Sequence, residues 1–218
     1  MIKIENTEVS GFEAAVRGCR NPKNSWAKSD SITIFDAENK RTVFTLGNAD
    51  RKLALQLIAA GTDHSKFMRM ITVTCDITAP MFFNAELDTY KVGTVRNSCS
   101  KMHKLADNPI RPEDFSADEL MADEVIRYDF SAIVGTCEYL RNKYKQTGDK
   151  KYWRMLIELL PESYNQRYTW QANYAVLRNI YFARRNHKLK EWHTFCDWIE
   201  SIPCSELITY KGGANHDG

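Results

Sequence analysis

The sequence predicts an α+β fold, because its first half carries strand-like patterns and its second half carries helix-like ones. Residues 69–78 alternate apolar and polar side chains with a period of two, which is typical of a half-buried strand. The β-like runs ITIF and TVFTL flank the turn-like DAENK and predict a hairpin. In the second half, apolar residues recur every three or four positions, which predicts helices.

The N-terminal quarter predicts a strand and two helices. Residues 1–9 alternate weakly and fit an edge strand. The segment FEAAVRGCR after Gly11 has a helical pattern. A second helix should begin where Asn48 or Asp50 can cap it, and it should end at Gly61.

The stretch from Ala79 to His103 is the strongest candidate for a functional site. A helical turn or two over Pro80–Leu87 leads into a polar loop. Small hydroxyl side chains and lysines in such a loop suit an anionic ligand. The alternative is a surface turn with solvated charges. The residues in question are Gly93, Ser98, Cys99, Ser100 and Lys101.

Residues 105–130 are acidic and rich in proline, which predicts an exposed excursion within a single domain of residues 1–210. Ser116 and Glu119 have the spacing of a capping box, so a short helix through Met121 is expected. Four helices should follow, and residues 211–218 should form a flexible tail. The predicted helical faces are Ile133, Cys137, Leu140 and Tyr144; Trp153, Leu156, Ile157 and Leu160; Asn173, Leu177, Ile180 and Arg184; and Leu189, Trp192, Cys196 and Ile199.

Composition narrows the classes of function. The 218 residues are 43% hydrophobic and carry a net charge of +2, which does not support nucleic-acid binding through bulk charge. No apolar run is long enough for a bilayer, and the N-terminus lacks a signal peptide, so a cytoplasmic protein without membrane contact is expected. Six cysteines without a CxxC pair or a suitably spaced His predict reduced thiols and no metal site. Cys99 is the candidate reactive thiol.

Several segments resemble one enzyme family along nearly the whole chain. They are AVRGCRNPKNS, ADRKLALQLIAAGTDHSKF, the strand ending DITAP, and LLPESYNQRYTWQANYAVLRNIYFARRNHKLKEW. These segments resemble the flavin-dependent thymidylate synthases. The resemblance implies that family's fold, a small antiparallel sheet with helices and a helical C-terminal half.

The family's signature is Arg-His-Arg, seven residues, then Ser. In this sequence it falls on Thr89-Tyr90-Lys91, seven residues, then Cys99, with a serine on each side of Cys99. The glutamine that precedes the signature in the family corresponds to Glu86 here, and the arginine that follows the signature corresponds to Lys101. An Arg-to-Thr change removes a charge and a bidentate fork, and an Arg-to-Lys change removes the fork. Each lost charge-assisted bond is worth about 1.5–3 kcal/mol, so the altered signature should weaken flavin binding.

The resemblance assigns a role to each matching residue. Arg184 would polarise the pyrimidine, and Glu86 with the loop Asn97, Ser98, Cys99, Ser100 and Lys101 would bind substrate. Thr89, Tyr90, Lys91, Asn179 and His187 would bind the flavin. Taken alone, Arg184 is also a cation that complements a helix dipole, and His187 is also a surface or capping histidine.

Three hypotheses for function follow. Members of the family are homotetramers with sites between subunits, and they use FAD, NADPH and methylenetetrahydrofolate to methylate dUMP. The first hypothesis is therefore an enzyme of this type, acting on a uridine-type nucleotide. The second is a protein that has lost FAD and binds or sequesters a nucleotide. Tyr90 and Lys91 favour it, because Tyr can stack on a base and Lys can hold a phosphate. The third is an oligomeric scaffold, which the polar loop disfavours.

Overall fold

A computed structural model describes residues 2–38, 40–100 and 104–212 of the chain. The strands are β1 (Lys3–Ser10), β2 (Ile32–Asp36), β3 (Arg41–Thr45), β4 (Thr72–Pro80), β5 (Val95–Ser98) and β6 (Asn165–Asn173). The helices are α1 (Phe12–Arg20), α2 (Asn48–Ala59), α3 (Met81–Leu87), α4 (Asp118–Ala122), α5 (Ile126–Thr147), α6 (Lys150–Leu159), α7 (Tyr174–Arg184), α8 (Lys190–Ser201) and α9 (Glu206–Thr209). Among the described residues, no helix is long and apolar enough to cross a membrane.

The strands form two small sheets, which confirms the predicted α+β class. The larger sheet has the order β1-β4-β6-β5, so β1 is the edge strand that the sequence predicts. Strands β2 and β3 pair antiparallel from Ile32 opposite Thr45 to Asp36 opposite Arg41, which confirms the hairpin. On β4 the apolar side chains Val73, Cys75 and Ile77 are buried, as the alternation predicts.

The chain forms two compact units, each assembled from three segments. The first unit takes its described residues from 1–5, 76–89 and 96–170, and the second takes them from 6–75, 90–95 and 171–212. The predicted acidic excursion of residues 105–130 lies in the first unit. The core of the first unit contains an apolar cluster made of Leu105, Ile110, Phe115, Ala117, Phe130, Val134, Cys137, Leu140 and Leu156.

The second half of the chain is not entirely helical, contrary to the prediction. Strand β6 separates α6 from α7, and its Tyr168, Trp170 and Ala172 are buried while the residues between them are exposed. Asn173 therefore ends a strand instead of lying on a helical face, and its side chain caps α7 by accepting the Val176 N–H at 3.1 Å. Strand β5 was also not predicted, because it has only four residues, within the polar loop.

The start of α2 corrects a predicted cap. The N-cap residue is Gly47, and the cap is provided by Asp30, whose carboxylate accepts the N–H groups of Ala49 at 2.9 Å and Asp50 at 3.0 Å. Neither Asn48 nor Asp50 has the predicted capping role. A Cβ atom on Gly47 would lie 2.2 Å from Asp30 Oδ1, so the close approach of this carboxylate requires glycine.

The short helix α4 is present as predicted, but it begins one residue later than the predicted Ser116 cap implies. Its N-cap residue is Ala117, without a side-chain cap. The Ser116 hydroxyl donates to Asn165 Oδ1 at 2.8 Å, a long-range contact that the local spacing does not predict.

Asp50 is the centre of a buried polar network in the second unit. Its side chain is 1% exposed and accepts hydrogen bonds from Arg20 Nε at 2.7 Å, from the Ser29 hydroxyl and from both the N–H and the hydroxyl of Ser31. Burial alone would raise its pKa, but the hydrogen bonds from Ser31, Ser29 and Arg20 outweigh burial and lower the pKa to about 2. The network connects α1, α2 and the segment before β2.

Replacing Asp50 with asparagine should destabilise the fold by about 3 kcal/mol, because Arg20 would stay buried without its charged partner. The folded-state pKa lies below the ordinary value of 3.8, so the stabilisation by ionised Asp50 is complete above pH 4 and is lost as the pH falls toward 2. The wild type should lose about 2 kcal/mol over that window, and Asp50→Asn should not. Urea unfolding at several pH values measures both the free energy lost in Asp50→Asn and its pH dependence. Asp63→Asn is the control, because Asp63 is exposed. If Asp50→Asn were as stable as Asp63→Asn at neutral pH, this account would be contradicted.

Candidate functional site

The predicted site residues fall into two groups, one in each compact unit. Glu86, Thr89, Asn97, Ser98, Cys99 and Ser100 belong to the first unit. Tyr90, Lys91, Asn179, Arg184 and His187 belong to the second. Lys101 lies outside the described residues.

In the first unit, the loop after β5 is held against β6. The Cys99 N–H donates to the Arg167 carbonyl at 3.0 Å, and the Gln166 side-chain amide donates to the Cys99 carbonyl at 2.7 Å. Both backbone groups of Cys99 are therefore satisfied, which fixes the backbone at Cys99 against β6.

Arg96 on β5 orients that glutamine. Its guanidinium donates to Gln166 Oε1 at 2.8 Å and to both carboxylate oxygens of Asp88 at 2.8 Å. The same guanidinium lies 3.9 Å from the centre of the Tyr168 ring, a cation–π contact. Because Gln166 Oε1 accepts a hydrogen bond from Arg96, the amide nitrogen of Gln166 is directed toward the Cys99 carbonyl.

The segment of residues 104–110 is held by an ion pair on α5. Glu138 accepts from Arg141 at 2.6 Å and from the Ile110 N–H at 2.8 Å, while Arg141 also donates to the Ala106 carbonyl at 3.3 Å. The hydrogen bond from Arg141 is the main reason that the pKa of Glu138 falls to about 2, against the opposing effect of burial. The pair is thus ionised at neutral pH and fixes a segment of irregular backbone.

These two fixed segments and the start of β6 enclose a cavity of about 440 Å³ within the first unit. That volume lies in the range of about 300–1,000 Å³ that is usual for small-molecule sites. The described residues that line it are Cys99, Ser100, Lys104, Leu105, Asp107, Asn108, Pro109, Ile110, Asp114, Tyr164, Asn165, Gln166 and Arg167.

The cavity combines cations, an aromatic ring and small polar groups. Lys104 Nζ lies 2.9 Å from Asp107, and this hydrogen bond raises the pKa of Lys104 and lowers that of Asp107, so both are charged at neutral pH. Burial raises the pKa of Tyr164, so its hydroxyl remains a hydrogen-bond donor. Arg167 contributes a second cation and pairs with Asp76 at 3.1 Å. The arrangement can hold a ligand with a flat ring and an anionic group.

The structure places only some of the predicted substrate-binding residues at this cavity. Cys99 and Ser100 line it. Asn97 and Ser98 are exposed on β5 and are not among the lining residues, nor is the half-buried Glu86 on α3. Thr89 is exposed and its hydroxyl donates to the Glu86 carbonyl at 2.7 Å.

Several lining residues were missed by reasoning from sequence. Lys104 and Asp107 lie in the segment held by α5, Tyr164 directly precedes β6, and Gln166 and Arg167 lie at the start of β6. The alternation of Tyr168, Trp170 and Ala172 marks β6 and was the available signal for Gln166 and Arg167 at its start. No local pattern marks Lys104, because its placement depends on Glu138 and Arg141.

In the second unit, Arg184 lies against two aromatic rings. Its Nε donates to the Tyr90 hydroxyl at 2.9 Å, and its guanidinium carbon lies 5.6 Å from the Tyr90 ring centre and 4.9 Å from that of Trp192. The two rings meet edge to face at 6.2 Å. Tyr90, Arg184 and Trp192 thus form one cluster in the second unit.

The other residues that were assigned to the flavin have different surroundings. His187 accepts the Leu189 N–H on Nδ1 at 3.2 Å, a turn contact just before α8, and its ring packs edge to face on Trp192 at 6.3 Å. Lys91 and Asn179 are exposed. The Nδ1 atom of His187 is therefore engaged in a local turn contact.

The fold is similar to that of solved flavin-dependent thymidylate synthases. The sequence matches no protein-family model and no curated protein. One structure of the flavin-dependent thymidylate synthase ThyX from Helicobacter pylori, complexed with FAD and dUMP, aligns with a TM-score of 0.68 and 16% identity over 96% of this chain and 98% of that chain. A second structure of the same enzyme with FAD and dUMP aligns with a TM-score of 0.68 and 16% identity, over 97% of this chain and 98% of that chain. The likeness confirms the predicted fold.

Cys99 is chemically distinct among the six cysteines. It is exposed, Cys204 is partly buried and the other four are buried. Burial raises the pKa of Cys19 to about 12 and that of Cys196 to about 11. Because the thiolate is the reactive form, these buried thiols should be unreactive in the folded protein.

A thiol reagent such as a maleimide should modify one cysteine rapidly in the native protein. The rapid phase should disappear in Cys99→Ser, and Cys204→Ser, as control, should retain it. Mass spectrometry of the partly labelled protein identifies the site. A rapid phase that persists in Cys99→Ser would show that the loop after β5 does not expose this thiol.

Proposed function

We propose that the protein binds a uridine-type nucleotide in the cavity beside Cys99 and Ser100. The observation that carries the proposal is the lining of this cavity, which supplies a tyrosine ring, hydroxyls and cations within one compact unit. The structural likeness to proteins solved with dUMP supports the same ligand class.

The chemistry of the lining suggests how such a ligand would be recognised. The Tyr164 side chain can contact the base, and Asn108 and Asn165 carry amides that can pair with the polar edge of a pyrimidine. Lys104 and Arg167 attract a phosphate, and the Ser100 hydroxyl can donate to it. Asp107 and Asp114 would repel a second anionic group, which favours a monophosphate over more highly charged nucleotides.

The residues present do not fit a tightly held FAD. Of the three positions that replace the family's Arg-His-Arg, only Lys91 is a cation, and the Thr89 hydroxyl is used by the Glu86 carbonyl. Tyr90 is engaged by Arg184 through its hydroxyl and by Trp192 through its ring. The favoured function is therefore nucleotide binding or sequestration without flavin chemistry.

A flavin-dependent enzyme that methylates dUMP or modifies a related pyrimidine is the second candidate. The structural likeness to ThyX with FAD and dUMP favours it. Only this second candidate function would require NADPH and methylenetetrahydrofolate as co-substrates. The homotetramer that the resemblance implies, with sites between subunits, and a cytoplasmic location remain predictions for both candidates.

Replacing Lys104 should identify the phosphate-binding side chain. Lys104→Ala should weaken dUMP binding about 10-fold or more in isothermal titration calorimetry, because a charge-assisted bond to phosphate is lost. Lys91→Ala is the matched control, since Lys91 is exposed and is not among the residues that line the cavity, and it should leave the affinity unchanged. In the wild type, dUMP should also slow the labelling of Cys99. Weaker binding in Lys91→Ala alone would assign the phosphate to the altered signature instead.

An absorbance spectrum separates the two candidate functions. Protein mixed with excess FAD and dUMP and then desalted should show no flavin bands, because too few cations remain to hold the FAD phosphates. Arg184→Lys, as comparison, should be equally colourless. Flavin bands that survive desalting in the wild type would overturn the favoured function and support the flavin-dependent enzyme.

A further inference from the structure

A groove in the second compact unit lies between α1 and one face of the β2–β3 hairpin. It consists of two cavities. One has a volume of about 370 Å³ and is lined by the end of β1 and the first turns of α1. The other has a volume of about 220 Å³ and extends to the segment before β2. Both are lined by Glu13, Arg17, Thr33 and Phe44, so they adjoin along α1 and are called here the α1–hairpin groove.

The hairpin contributes an aromatic ring and hydroxyl groups to the groove. The Phe44 ring stacks on that of Phe12, with centroids 4.8 Å apart and planes 3° apart, and it is only half-buried. Thr33 lies directly opposite Phe44 in the strand pairing, and Thr42 lies two residues before Phe44 on the same face of β3. With Val9 at the end of β1, these residues give the groove an apolar part that has polar groups beside it.

Glu13 and Arg17 supply one charge of each sign to the groove. They are exposed and lie one helical turn apart on α1, and a Glu that precedes an Arg by four residues favours an ion pair within the helix. Arg154 and Glu158 have this spacing on α6, in the less favourable order, and they do pair at 2.5 Å. In the part of the chain that the structure describes, neither Glu13 nor Arg17 forms an ion pair. The groove therefore presents two opposite charges that the fold does not use.

The two walls of the groove are tied to each other at the base of the hairpin. Ser29 and Ser31 line the smaller cavity, and their hydroxyls donate to Asp50 at 2.8 and 2.6 Å. The same carboxylate accepts from Arg20 of α1 at 2.7 Å. A groove whose walls are already joined loses little conformational entropy when a ligand binds.

We propose that the α1–hairpin groove binds a zwitterionic α-amino acid with an apolar side chain. Arg17 pairs with its carboxylate, Glu13 pairs with its ammonium group, and its side chain packs beside Phe44. The Cβ atoms of residues four apart on a helix are about 5–6 Å apart, a separation that lets both charges reach one small molecule. Glu13 would repel a ligand that carries only a carboxylate, and Arg17 would repel one that carries only an ammonium group, so the pair selects the zwitterion.

The size of the groove agrees with a ligand of this kind. Its larger cavity lies near the lower end of the range of about 300–1,000 Å³ that is usual for small-molecule sites. The groove shares no lining residue with the cavity beside Cys99, so this inference is independent of the proposed function.

Isothermal titration calorimetry of the full-length protein with three related compounds tests the proposal. L-phenylalanine carries both charges, L-phenylalaninamide lacks the carboxylate, and 3-phenylpropionate lacks the ammonium group. Each of the last two should bind at least about 10-fold more weakly than L-phenylalanine, because a charge-assisted hydrogen bond is lost. Equal affinity for all three compounds, or no saturable binding of L-phenylalanine or L-leucine at millimolar concentration, would overturn the proposal.

Variants assign each charge of the ligand to its partner. Arg17→Gln should weaken L-phenylalanine binding about 10-fold or more and leave L-phenylalaninamide unchanged, since that compound has no carboxylate to lose. Glu13→Gln should weaken L-phenylalanine equally and should not weaken 3-phenylpropionate. Arg154→Gln is the matched control, because Arg154 is an exposed helical arginine outside the groove. Equal L-phenylalanine affinity in Arg17→Gln and Arg154→Gln would contradict the assignment.

Filling the groove gives a readout that leaves both charges in place. Thr33→Trp puts a large side chain at a position shared by the two cavities, and an aromatic residue suits an exposed strand position. L-phenylalanine binding should be lost, while circular dichroism and thermal unfolding match the wild type. Binding that persists in Thr33→Trp would place the ligand outside the groove and overturn the proposal.

Discussion

The cavity depends on a segment that has little regular structure and must still satisfy its backbone groups. Residues 104–110 meet this requirement through the Glu138–Arg141 ion pair, which accepts the Ile110 N–H and donates to the Ala106 carbonyl. Such a segment would otherwise have several conformations of similar energy. The ion pair on a long helix therefore turns an acidic, proline-containing stretch into the fixed wall of a site.

The opposite wall is fixed by a chain of polar contacts. Asp88 holds Arg96, Arg96 orients Gln166, and Gln166 holds the Cys99 carbonyl. The contacts run from Asp88, just after α3, to β5 and β6, so they form only when β5 and β6 lie side by side. A site whose walls are both fixed before ligand arrives loses little conformational entropy on binding. This argues for a preformed binding site and against a solvated surface turn.

The sequence predicts the elements whose patterns are local and misses those defined by distant partners. The period-two alternation of β4 and the turn of the hairpin are local, and both are confirmed. Strand β6 shows the same alternation, but its position between two helical patterns concealed it. Cys99 and Ser100 could be placed at the site from the loop's composition. Lys104 and Tyr164 could not, because the bonds of Arg141 and the pairing of β6 bring them there.

The account's central claim is that a uridine-type nucleotide occupies the cavity beside Cys99. The most direct test is a crystal structure of the protein grown with dUMP. The account predicts density for the base against the Tyr164 ring and for the phosphate beside Lys104. Density for the nucleotide at Arg184 and Tyr90, or a cavity that stays empty at saturating dUMP, would contradict it.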